Sequence, residues 1–172
     1  MISIVSTTNR INSNSLKVAT KCQEILFAKG IESELFSLEN LPADFIFSCS
    51  YGVKTDEYET LTRKYIENPK KFVFVIPEYN GSFPGVLKAF IDSLDFLKLS
   101  GKKAALIGLS SGHAGGLRAL DHFTEILHHL KIEVYSDKPK LSGIEKLIDD
   151  TQLIDNKSIE RLKKMLGNFI EF

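Results

Sequence analysis

Short β-branched runs alternate with segments of helical periodicity along the chain, and that alternation admits few architectures other than parallel βαβ construction. Five runs read as strands: Ile2 to Ser6, Glu34 to Leu38, Phe72 to Ile76, Ala104 to Gly108 and Ile132 to Tyr135. Four of them are near-continuous apolar runs, as expected where helices cover both faces of a parallel sheet. Leu16, Ala19, Cys22 and Leu26 form one helical stripe, with Gly30 following where a left-handed C-terminal residue is wanted. Asp56 and Glu59 have capping-box spacing ahead of Leu61 and Tyr65. Pro84 falls in the first turn of a helix through Leu87, Ile91 and Leu94. A fourth helix follows Gly115 and Gly116, and a last one covers about Ser158 to Ile170.

Right-handed crossovers between such strands predict a five-stranded parallel sheet of order 2-1-3-4-5 in a three-layer α/β sandwich. The chain then reverses direction between strands 1 and 3, and a ligand crevice opens at their carboxyl ends. That places Thr7 to Asn14 and Pro77 to Pro84, two unusual loops, at the crevice.

The first loop supplies Thr8, Arg10, Ser13, Asn14 and Ser15 at the start of a helix, whose unpaired N–H groups favour an anion. Hydroxyls can donate to phosphate oxygens, and Arg10 adds a planar fork of donors. An ordinary polar turn with a Ser or Asn cap is the other reading. The second loop runs Pro77-Glu78-Tyr79-Asn80-Gly81-Ser82-Phe83-Pro84-Gly85. Its Asn80-Gly81 pair tolerates positive φ, and Tyr79 or Phe83 could wall a flat ring, or the aromatics could simply pack on the core. The third loop, Ser110 to Gly116, adds three glycines on the same side of the sheet. No G-x-x-x-x-G-K-[ST] or G-x-G-x-x-G occurs, which disfavours triphosphatases and dinucleotide-fingerprint dehydrogenases.

Length and composition narrow the function further. The 172 residues fit one domain spanning 1–172. Basic and acidic residues balance at 22 each with no basic tract, so nucleic acid is not an expected partner. The chain enters a strand at once, without leader or long apolar segment, and its two cysteines form neither a disulfide framework nor a zinc spacing. A cytoplasmic protein without membrane contact is expected.

The run PEYNGSFPGVLKAFIDS, from Pro77 to Ser93, resembles the signature of the NADPH-dependent FMN reductase family, which includes azo dye, quinone and chromate reductases. Thr8 to Ser15 is similar to that family's phosphate-binding pattern S-x-R-x-x-S-x-N, and Ser110 to Ala119 to its third loop. The resemblance implies a flavodoxin-like fold. It also implies that Thr8, Arg10, Ser13 and Ser15 hold the FMN phosphate, that Pro77, Glu78, Tyr79, Asn80 and Gly81 border the isoalloxazine, and that Ser110, Gly112 and His113 face its other edge. NADPH or NADH would reduce the flavin, a small-molecule acceptor would reoxidise it by a ping-pong mechanism, and the chain would be a homodimer or homotetramer. No side chain need act as nucleophile, since FMN carries the redox chemistry. Thr8 and Ser15 depart from the family's Ser and Asn, and Ser93 stands where the family often has Trp.

Other readings compete. Gly108-Leu-Ser-Ser-Gly112 is a formal G-x-S-x-G, but no histidine follows the final strand to complete a hydrolase triad. Glu125 and His129 have i, i+4 spacing without an evident third ligand, and Tyr51, Tyr58 and Tyr65 read as a core or interface stripe. A flavodoxin-type electron carrier, or a flavin-binding sensor without nicotinamide turnover, is the alternative function.

Overall fold

The computed structural model describes residues 1–49 and 53–172. Its strands are β1 (Ile2–Ser6), β2 (Ser33–Ser37), β3 (Lys71–Pro77), β4 (Lys103–Ser110), β5 (Glu133–Val134) and β6 (Lys140–Ser142). They lie in the order β2-β1-β3-β4, with β5 and β6 sharing the position beyond β4, and every pairing is parallel. This is the flavodoxin-like order that the alternation of apolar runs predicts.

The helices are α1 (Asn14–Ala28), α2 (Phe45–Ser48), α3 (Asp56–Thr62), α4 (Gly85–Asp92), α5 (Leu117–His129) and α6 (Asn156–Glu171). They cover both faces because strand side chains alternate and both sets are apolar. Ile2, Ile4, Val73, Val75, Ala105 and Ile107 pack under α1 and α6 with Val18, Leu26, Leu162 and Phe169. Val5, Phe72, Phe74, Ile76, Ala104 and Leu106 pack under the other four helices with Tyr58, Phe90 and Phe123. Gly30 adopts φ 71° just after α1, as expected of the residue that ends a helix in the left-handed region. No described helix is long and apolar enough to cross a membrane.

Three details differ from the sequence expectation. The cap of α3 is Thr55, whose hydroxyl accepts the Tyr58 N–H at 3.3 Å, not Asp56; Asp56 lies in the first turn, where its charge opposes the helix dipole favourably. Pro84 is the residue before α4, not inside its first turn. The edge strand is broken: after Val134 the chain leaves the sheet, then returns through Pro139, whose carbonyl accepts the Gly108 N–H, to pair Lys140–Ser142 with Gly108–Ser110. A strand with one buried side chain, Leu141, gives almost no periodic signal, so β6 was not legible as a strand.

Tyr58 and Tyr65 belong to the core layer, stacked on Phe45 and Phe36 respectively; Tyr51 lies outside the described residues. The Tyr58 hydroxyl bonds to Ser93 at the end of α4, a buried polar contact between two helices of this layer. Burial pushes that phenol up to about 12.

The entry into α5 rests directly on β4. A Cβ at Gly108 would lie 2.5 Å from the Gly115 carbonyl, and one at Gly116, where φ is 85°, would lie 2.8 Å from the Leu109 nitrogen. Backbone cannot yield as a flexible side chain does. Gly108→Ala should therefore lower stability by about 2–4 kcal/mol. Urea denaturation measures it, and a loss under about 0.5 kcal/mol would show the contact to be loose.

Candidate functional site

The first loop is pinned where it leaves the sheet. The Thr7 N–H and hydroxyl both reach the Val75 carbonyl, at 3.2 and 3.0 Å. Thr8 is fully buried; its hydroxyl is shared with the Tyr79 hydroxyl at 3.1 Å and accepts the Arg10 N–H at 3.3 Å. Asn12 turns the chain at φ 52°, and Ser13 caps α1 by accepting the Leu16 N–H at 3.1 Å. The amides of Asn14 and Ser15 then head a helix with no acidic residue in its own first turn.

The second loop continues the sheet. Pro77 still pairs with Leu109, and the Glu78 N–H donates to the Leu109 carbonyl at 2.9 Å. Tyr79 and Ser82 then exchange both backbone hydrogen bonds, at 2.8 and 3.1 Å, around Asn80 at φ 52° and Gly81 at φ 80°. Two consecutive positive φ values make a type I′ turn, the conformation for which Asn-Gly is suited. Glu78 is largely buried, with one carboxylate oxygen 3.2 Å from Arg118 and the other buried without a partner. Of the two aromatics that could wall a ring, Phe83 packs edge-on to Phe123 in the core, whereas Tyr79 stays partly exposed.

The third loop is held from the chain's far end. The Ser110 hydroxyl donates to the Gly112 carbonyl at 2.9 Å, the Ser142 hydroxyl to the His113 carbonyl at 2.7 Å, and the Gly143 N–H to the Gly112 carbonyl at 3.3 Å. The unforeseen strand β6 thus anchors this loop.

Two adjoining cavities lie among the three loops. One, of about 190 Å³, is lined by Arg10, Ser13, Asn14 and Ser15 from the first loop, Pro77, Glu78 and Tyr79 from the second, and Ser110 from the third. The other, of about 360 Å³, is lined by Asn80, Gly81, Gly112 and His113, and shares Glu78 and Ser110 with the first. Every residue singled out from the sequence lines one cavity or the other except Thr8, which lies beneath and positions Arg10 and Tyr79. Sequence reasoning missed Asn12, Ser111 and Glu145 at the first cavity and Arg118 at the second. Arg118 stood within the third-loop run; Glu145 carries no sequence signal, because only the unrecognised β6 brings it across.

The site's polar groups suit a phosphate ester beside a planar ring. The Ser15 hydroxyl is buried and has no partner, although it lines the cavity at the head of α1. An unsatisfied buried hydroxyl is costly, and an anion there would satisfy it together with the helix amides. A Cβ at Gly112 would meet nothing within 4 Å, so the second cavity is open along that backbone.

Competing chemistries find no support at the same residues. Ser110 ends a regular strand, and neither it nor Ser111 has the positive φ of a strained nucleophile turn. Ser111 donates to Glu145, and His122 bonds Ser82 at 3.0 Å. Burial pushes the Cys22 thiol up to about 12, far from a reactive thiolate. A larger groove of about 870 Å³ opens at the sheet edge, but none of the three loops at the switch point supplies a polar group to it, and its Arg161 is committed to Asp137.

Comparison with known proteins agrees with this geometry. Residues 1–142 match the sequence profile of the NADPH-dependent FMN reductases. The NAD(P)H-dependent FMN reductase PA1204 of Pseudomonas aeruginosa is 27% identical over 96% of this chain and 91% of its own. A quinone reductase of Escherichia coli is 37% identical over 58% of this chain and 56% of its own. Among solved structures, the flavoenzyme FerB of Paracoccus denitrificans superposes with a TM-score of 0.78 at 23% identity, covering 99% of this chain and 94% of that one. With both the fold and the loop sequences accounted for, the chain belongs to the NADPH-dependent FMN reductase family, oxidoreductases that work with FMN and NAD(P)H.

Proposed function

We propose that the cavity at the head of α1 receives the phosphate of FMN and the adjoining cavity its ring, and that NADPH or NADH and a small-molecule acceptor use the site in turn. The observation that carries this reading is the buried, unpartnered Ser15 hydroxyl at a helix N-terminus, in a residue that lines the same cavity as the cationic Arg10. Held there, FMN would supply the hydride and electron transfer that links nicotinamide to acceptor.

The chain's own residues orient and enclose. Thr8 holds Arg10 by its backbone and Tyr79 by its hydroxyl, fixing the two loops against each other. The Asn80-Gly81 turn and the open backbone at Gly112 would border the ring. Proximity and alignment are the acceleration that such positioning supplies. The acceptor class, a quinone, azo compound, metal oxyanion or free flavin, is supported by the names of relatives that include a quinone reductase of Escherichia coli and an FMN-dependent NADPH-azoreductase of Staphylococcus aureus. Self-association as a homodimer or homotetramer belongs to the same reading, supported by Phe47, Val53, Phe96 and Leu97 standing exposed. Two unpaired cysteines fit a reducing cytoplasmic location.

Two experiments follow from this reading. Ser15→Ala should leave the urea stability of the flavin-free chain unchanged or slightly higher, because the hydroxyl it removes has no partner, while FMN affinity falls about five- to tenfold, the effect of roughly one hydrogen bond. A stability loss with unchanged FMN affinity would assign Ser15 to the fold instead. Steady-state rates with varied NADPH and a quinone should give parallel double-reciprocal lines, and Ser110→Ala should retain most activity because no acyl transfer occurs. Intersecting lines would mean that both substrates bind together, and failure of NAD(P)H to bleach the bound flavin would favour an electron carrier or sensor.

A further inference from the structure

The cavity at the head of α1 carries a charge of the wrong sign for an anion. Glu145, in the short turn Ile144–Lys146 that follows β6, lines the same cavity as Arg10, Ser13 and Ser15. Its position is fixed: Gly143, at φ 60°, starts the turn and donates its N–H to the Gly112 carbonyl, and the Glu145 carboxylate accepts a hydrogen bond from the Ser111 hydroxyl. That hydrogen bond, followed by one from its own backbone N–H, holds the carboxyl below the usual carboxylate range, so it is ionised at neutral pH.

The balance of charge around the cavity is therefore close to neutral. Arg10 is the one cation among the lining residues, and Glu145 opposes it. Glu78, the other carboxylate, is engaged by Arg118. Ser111, a hydroxyl that could have donated to a phosphate oxygen, donates to Glu145 instead. A phosphate monoester brings a charge of about −1.5 to −2 at pH 7 into this setting, within reach of an ionised carboxylate. Helix amides and the Ser15 hydroxyl favour the phosphate, and the carboxylate opposes it.

We infer that Glu145 is a specificity-determining residue that weakens the grip on the phosphate end of the flavin, so that FMN is an exchanging ligand of this chain and not a permanently retained one. The inference rests on the flavin reading above. The effect is confined to the phosphorylated flavin, because riboflavin presents no charge to the carboxylate.

Glu145→Gln separates charge from structure: the side chain keeps an oxygen to accept from Ser111, and the residue is exposed enough to leave packing intact. FMN and riboflavin are titrated against the unmodified chain and the variant by flavin fluorescence, at low salt and at about 0.5 M salt, and FMN dissociation is timed by rapid dilution. The expected result is an FMN affinity about tenfold higher in the variant, carried mainly by slower dissociation, with riboflavin affinity within about twofold and the FMN gain reduced at high salt. Unchanged or weaker FMN binding, or an equal shift for both flavins, would overturn the role of Glu145; an equal weakening would mean that the carboxylate accepts from a ribityl hydroxyl. If the unmodified chain binds neither flavin, the flavin reading itself falls; FMN binding that the variant leaves unchanged overturns this inference alone.

Discussion

The pairing of β1 with β3 is the constraint on which the site depends. After β1 the chain crosses to β2 on one side, and after β2 it returns past β1 to lay β3 on the other. The loops that leave β1 and β3 therefore diverge above adjacent strand ends, and a crevice opens between them without any side chain having to create it. Thr7, bonded twice to Val75 of β3, closes the base of that crevice, and the shared hydrogen bond of Thr8 and Tyr79 spans it one step higher. Apolar residues on both faces of β1, β3 and β4 make this arrangement the stable one, so the position of the site follows from burial before it follows from chemistry.

The polar groups added at that point are few. One arginine, two carboxylates (Glu78 and Glu145), one helix N-terminus and a small set of hydroxyls line the first cavity, and glycine backbone with Glu78, His113 and Arg118 lines the second. Such a site can hold a cofactor in place. This fits redox chemistry in which the cofactor reacts and the protein aligns it. At the second cavity Arg118 and Glu78 form an ion pair, largely buried on the carboxylate side and exposed on the guanidinium side.

Much of this was legible in the sequence, and the reasons differ by element. β1, β3 and β4 announce themselves because both faces are buried, which makes them near-continuous apolar runs. The turn at Asn80-Gly81 was legible because few dipeptides accept two positive φ values. Thr8 was singled out from its place in the loop, and nothing in the sequence signals that its hydroxyl is shared with Tyr79 and accepts the Arg10 N–H. Phe83 could have faced a ring or the core, and only the packing of Phe123 decides for the core. The edge strand escaped because Lys140–Ser142 buries one side chain and follows a proline, and with it went Glu145, which only the pairing of β6 with β4 brings to the first cavity.

A crystal structure of the chain saturated with FMN tests the central claim most directly, because it locates the phosphate and the ring independently of turnover. The account predicts the phosphate within hydrogen-bonding distance of the Ser15 hydroxyl and the Asn14 and Ser15 amides, with the ring between the Asn80-Gly81 turn and Gly112. Density for FMN in the edge groove lined by Lys138, Lys140, Lys157 and Lys164, with the crevice above β1 and β3 empty of flavin, would contradict it.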